Sequence, residues 1–180
     1  GCERHGCGLL DRCWDCKAPL EPHRLLAIDG HIAKCATCSK DLRSARPVTS
    51  SAPAREFQLT ADNVLAEQVG VGLGHSLTAP EWFSLSAYLT ALLRQALRIE
   101  SGNLRAMIES VASVTLPDIL LFDSNNIEQL RTFERRLVFE VVAKILAVDA
   151  EAFLAACVSQ ELSRQSLFRS HRSLPRVVSG

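Results

Sequence analysis

Much is missing from this chain of 180 residues, and each absence excludes a class of function. Net charge is absent: 20 Lys and Arg stand against 20 Asp and Glu, so no global positive field draws the chain onto nucleic acid or anionic membrane. Any contact with nucleic acid must then come from a local patch. Long apolar runs are absent too. Unbroken stretches such as Phe153 to Val158 fall far short of the roughly 20 residues that a spanning helix needs. No signal-peptide pattern opens the sequence, and the expectation is a soluble, cytoplasmic protein with no membrane partner.

Catalytic motifs are equally sparse. Gly70 to Gly74 reads GVGLG, but without a GKS or GKT ending or a preceding strand it reads as a flexible interhelical loop rather than a phosphate cradle. His75 and Ser76 follow it with no GxSxG elbow and no orienting carboxylate. Asp118, Asp123 and Asp149 each precede a helical or turn segment, as caps do. No paired-carboxylate site emerges, and the chain reads as a non-enzyme.

Cysteine is plentiful, and only at one end. Six of the seven (Cys2, Cys7, Cys13, Cys16, Cys35 and Cys38) lie in the first 38 residues, while Cys157 stands alone in a late apolar helix. Disulfides would staple a whole small secreted domain, whereas CxxC pairs confined to one end of a core-forming chain read as metal ligands in a reducing compartment. Cys13-x2-Cys16 and Cys35-x2-Cys38, with 18 residues between them, can each wrap one side of a tetrahedral Zn2+. Four thiolates fill the coordination sphere, which makes the ion a structural staple. The intervening segment has Asp29-Gly30 between apolar stretches, fitting the hairpin of a zinc ribbon. His23 and His31 then read as hairpin surface residues. Cys2-x2-His5 is a half-site of the same chemistry. Its missing pair comes either from Cys7 and a histidine or from residues upstream of Gly1; truncation upstream is the favoured expectation, with Cys7 read as a small buried thiol.

The rest of the chain is patterned for helices. Residues 1 to 43 are rich in ligands and poor in large apolar side chains, and cannot bury a core alone. Residues 44 to 56 are rich in Pro and Ser and read as a linker. Residues 57 to 180 carry helical periodicity without period-two alternation or an internal repeat, so an all-α domain is expected. Helices are expected over Asp62 to Val69, then from Thr78 through a TxxE capping box with Glu81 to Gly102, and over Leu104 to Val114. A long helix over Ile127 to Val148 presents Phe133, Leu137, Val141, Ile145 and Val148 as its apolar stripe. Asp149 caps a helix over Ala150 to Gln160, and Ser163 a short one through His171.

Those last two helices have the proportions of a helix-turn-helix. Arg164, Gln165 and Arg169 lie on the second, followed by Arg172 and Arg176. Residues 160 to 180 hold four Arg against one Glu, the local basic patch that a neutral chain must use if it touches DNA.

The stretch CERHGCGLLDRCWDCKAPL, continued through CATCSKDLRSA, resembles the CxxHGxxLLxxCxxC zinc region of the TniQ family of transposition proteins, which includes TnsD-related members. A further likeness lies at ILAVDAEAFLAACVSQELSRQSLFRSHRSLP, similar to a family stretch ending in an LSRSxL helix and a Leu-Pro. Where the family commonly has Trp-Pro this chain has Asp149-Ala150, and where it commonly has Trp this chain has Arg176. The resemblance implies that Cys2 and His5 are the second half of a first zinc site whose first half is an upstream CxxC. It implies Cys13, Cys16, Cys35 and Cys38 as a second site. The implied function is a non-enzymatic adaptor that helps select the transposition target, contacting target DNA or a target-recognition complex and recruiting an AAA+ ATPase regulator. The alternative is a zinc-containing protein-interaction module that does not bind DNA.

Overall fold

The computed structural model describes residues 2, 5–49, 51–98, 102–117, 130–163, 165 and 167. The chain forms two compact units, Gly1–Ser51 and Ala52–Gly180. The first unit consists of tight turns, with short 3-10 segments at Pro22–Arg24, Ala27–Asp29 and Leu42–Ser44. The hairpin expected around Asp29-Gly30 is not there. Asp29 accepts the Leu26 N–H at 2.7 Å while its own N–H donates to the Leu26 carbonyl, and this local closure takes the backbone groups a β ladder would use. Among the described residues of this unit only Cys13 and Cys35 are buried, each 1% exposed, whereas Leu26, Ile28 and Ile32 are 70%, 90% and 80% exposed. The described residues of the unit therefore form no hydrophobic core, and their folding energy must come from elsewhere.

The second unit is mainly helical: α1 (Ala52–Glu67), α2 (Ala79–Arg98), α3 (Gly102–Ala112), α4 (Thr132–Leu146) and α5 (Ala150–Ser159), with a hairpin of β1 (Val69–Gly72) and β2 (His75–Thr78). Helix α1 begins inside the segment expected to be a linker and ten residues ahead of the expected helix. Pro53 is tolerated because the first turn has no carbonyl partner to lose, and Phe57 gains a seat against Trp82 and Phe139.

The hairpin replaces the flexible loop expected at Gly70 to Gly74. Leu73 at φ 50° and Gly74 at φ 76° form a two-residue turn with both central residues left-handed, the twist that suits paired strands. Leu73 is an unusual residue for that turn. Its burial offsets the steric cost, and the helices clamp it: its N–H donates to the Leu146 carbonyl at 2.9 Å and its carbonyl accepts the Ala150 N–H at 3.0 Å. Gly70 and Gly72 let the strand lie directly on Val64, Trp82, Leu85 and Leu146.

Two caps form as their sequences require. The Thr78 N–H and hydroxyl both donate to Glu81 Oε2, at 3.0 and 2.7 Å, and Asp149 accepts the Ala152 N–H at 2.7 Å. Gly102 opens α3 rather than merely closing α2, because its exposed position at a helix start meets no crowding. The core holds Trp82, Leu85, Leu89 and Leu93 of α2 against Met107 and Ile108 of α3, Val138 and Val142 of α4, and Phe153 of α5. Each such side chain is worth about 1.5–3 kcal/mol of burial. The stripe of α4 differs from the expected one: Phe133 is 47% exposed, and Glu134, Val138, Val142 and Leu146 are buried together with Val141 and Ile145. Glu134 turns inward because it accepts the Arg131 N–H at 2.7 Å, capping the helix. Among the described residues no helix is long and apolar enough to cross a membrane.

Candidate metal centre

One backbone turn recurs three times in the first unit. In each, a cysteine at position i is followed by a second donor side chain at i+3 and a left-handed residue at i+4. The left-handed residues are Gly6 (φ 61°), Lys17 (φ 61°) and Ser39 (φ 60°). Two hydrogen bonds close every copy. The i+4 N–H donates back to the carbonyl of the cysteine, at 2.9 Å (Gly6 to Cys2), 3.0 Å (Lys17 to Cys13) and 2.8 Å (Ser39 to Cys35). The cysteine N–H donates forward to the i+5 carbonyl, at 2.7 Å (Cys7), 2.8 Å (Ala18) and 2.9 Å (Lys40). The turn brings the side chains at i and i+3 toward one point, which is why a two-residue spacer suits metal ligation.

Two of these knuckles face each other. Cys13, Cys16, Cys35 and Cys38 offer sulfurs that all lie within 4.8 Å of one another, with Cys13 to Cys38 at 3.6 Å and Cys16 to Cys35 at 3.7 Å. A tetrahedral ion with Zn–S bonds of about 2.3 Å has S···S edges of about 3.8 Å, so the cluster has the dimensions of a tetrathiolate site. A disulfide needs about 2.05 Å, and all seven cysteines are free thiols. The residues fit a tetrahedral soft cation, and four sulfurs would complete its shell.

Electrostatics point the same way. The backbone N–H groups of Cys38 and Thr37 hold the Cys35 thiol down at about 6, the Thr37 amide lying 3.4 Å from the sulfur. At Cys38 the Lys40 backbone amide also favours the thiolate, but burial and the three neighbouring sulfurs outweigh it and push this thiol up. Without a cation, four sulfurs this close cannot all ionise; a divalent ion lets them do so. Asp41 steadies the edge of the site. It accepts three hydrogen bonds from the Arg43 guanidinium and one from the Arg43 backbone N–H, which hold its carboxyl well below the usual range. The Trp14 ring N–H donates to the Asp41 carbonyl at 3.3 Å, tying the first CxxC tip to the turn after the second.

The third knuckle carries Cys2 and His5, with Cys2 Sγ 3.2 Å from His5 Nδ1. Among the described residues these two do not join a group of three or more ligands, and Cys7, half-buried, supplies backbone rather than sulfur to the turn. His23 and His31 are exposed, as expected of surface residues, and His31 Nε2 lies 3.4 Å from the Arg43 guanidinium. Sequence reasoning missed the amide donors at Thr37, Lys17 and Ser39, which act through backbone and leave no residue-type signal. In the second unit His75 and Ser76 are exposed strand residues, and Cys157 is a buried core thiol. Gln165 is helical and exposed. Arg164, Arg169, Arg172 and Arg176, with Asp118 and Asp123, lie outside the described residues. No family profile, curated protein or solved structure matches this chain.

Proposed function

We propose that this chain is a non-enzymatic accessory protein of DNA transposition, of the TniQ type, which helps select the target site and acts in the cytoplasm. It contacts target DNA or a target-recognition complex and recruits an AAA+ ATPase regulator. The observation that carries the proposal is the threefold knuckle: the CxxH of the resemblance has the same backbone turn as the CxxC that follows it in the CxxHGxxLLxxCxxC pattern and as the later Cys35–Cys38 pair. In this proposal the metal is Zn2+. Held by four thiolates, it keeps no position for water or substrate and serves to fold the first unit. Cys2 and His5 are half of a further zinc site.

Direct DNA contact falls to Arg164, Gln165, Arg169, Arg172 and Arg176, the basic end of a chain that is neutral overall. Phosphate contacts release counterions. Replacing Arg169 and Arg172 by Ala should therefore weaken DNA binding about uniformly across sequences and flatten its log-log salt dependence by roughly one unit per lost contact, whereas loss of Gln165 should change sequence preference. The test is a binding titration at several salt concentrations with wild type and the double variant. Equal affinity and slope in both would remove DNA contact from this segment and leave a zinc-containing protein-interaction module.

A further inference from the structure

Helices α1 and α4 leave a cleft between them. Its volume is about 420 Å3, within the range of sites that hold organic ligands or peptide side chains. It exists because small residues line it: Ala143 and Ala147 on one wall, Thr60 and Pro53 on the other, and Gly74 of the hairpin turn at one end. Its floor is aromatic and held in place. Trp82 is 1% exposed and donates its ring N–H to the Val71 carbonyl at 3.1 Å, while Phe57 stacks on Phe139 at 4.9 Å and lies 5.5 Å from Trp82. A floor fixed this way costs little ordering entropy on binding.

Two features decide what the cleft takes. Glu56 and Lys144 both line it, are opposite in charge, and neither forms an ion pair among the described residues. A ligand with a charge of each sign on either side of an apolar group would pair both. The apolar surface also continues out of the cleft along β1, where Val71 is 66% and Val69 47% exposed. Two valines of one strand, two residues apart, share a face. That ridge extends contact beyond a small molecule and favours a chain segment. We propose that the cleft is a receptor for an amphipathic peptide segment of a partner protein. The segment seats a bulky apolar side chain over Trp82 and Phe57, with an acidic neighbour on Lys144 and a basic one on Glu56. The proposal is independent of the metal unit and of DNA.

The experiment selects a random dodecapeptide library on the full zinc-loaded chain, then measures synthetic copies of the enriched peptides against wild type, Thr60→Trp, Thr60→Leu and Lys144→Glu. Enriched sequences should carry one large apolar residue flanked by an acidic and a basic one. Filling the cleft with Thr60→Trp should weaken binding about tenfold or more, the loss expected of an anchor side chain, with Thr60→Leu intermediate. Lys144→Glu should weaken binding about threefold to fivefold and regain it when the acidic residue of the peptide becomes Lys. Circular dichroism and thermal melts verify the fold of each variant. Enrichment of no apolar anchor, equal binding by wild type and Thr60→Trp, or charge reversal without rescue would each overturn the proposal. So would a concentration-dependent dimer abolished by Thr60→Trp, which would assign the cleft to a second copy.

Discussion

Cys2 Sγ and His5 Nδ1 stand 3.2 Å apart in a turn closed by the same two backbone hydrogen bonds that close the Cys13 and Cys35 turns. The pair therefore sits on the same backbone turn as the two CxxC pairs. Two ligands hold an ion far more weakly than four. Titration with Zn2+ against a chromophoric chelator should show one tight equivalent and a second, much weaker one. His5→Ala should remove only the second. A single equivalent in both proteins would contradict the half-site.

Loss of the tetrathiolate should unfold the first unit alone. That unit buries only Cys13 and Cys35 among its described residues, and structural zinc binding contributes about 10–16 kcal/mol in small metal-dependent domains. Cys35→Ser, which leaves three of the four thiolates, should therefore weaken Co2+ binding and lower the thiolate-to-Co2+ charge-transfer band. Its cost should appear as protease sensitivity before residue 51, with most of the helical circular dichroism retained. Retained protection of this segment without metal would show a core that the buried residues do not provide.

Gly70→Ala should destabilise the second unit. A Cβ there would lie 2.5 Å from Val64 Cγ2 and 2.8 Å from Trp82 Cδ1, so a core residue must shift. Overpacking of this kind costs about 1–3 kcal/mol. Gly102→Ala is the control: nothing lies within 4 Å of its added Cβ, and the helix gains a better former. Urea denaturation should give a lower midpoint for the first variant and an equal or slightly higher one for the second.

Alkaline pH should weaken the second unit through two buried groups. Burial raises the Cys157 thiol from its ordinary 9.0 to about 11, and burial together with a Cys157 charge raises the Tyr88 phenol. Both ionise earlier in the unfolded chain than in the folded one. Above about pH 9 the unfolded state binds fewer protons, so stability falls as pH rises. The loss should develop between pH 9 and 11, and Cys157→Val should flatten it in denaturation curves taken across that window. An unchanged slope would take Cys157 out of the effect.

Short-range features were legible in the sequence by itself. The CxxC spacing determines a knuckle through hydrogen bonds that span only four or five residues, and the Thr78–Glu81 and Asp149–Ala152 caps close over three. Helical periodicity likewise identified α2, α3 and α5 to within a few residues. Tertiary structure alone decided the remainder, because burial depends on what arrives from elsewhere in the chain. GVGLG became a hairpin when Val64, Trp82, Leu85 and Leu146 closed over its glycines and Leu146 and Ala150 held Leu73 in a left-handed conformation. On α4, the caps and neighbouring helices selected Glu134, Val138 and Val142 over Phe133 for the interior. The two facing knuckles belong to both levels: spacing determines each pair of sulfurs, but only the folded unit brings Cys13 to 3.6 Å from Cys38, across 25 residues.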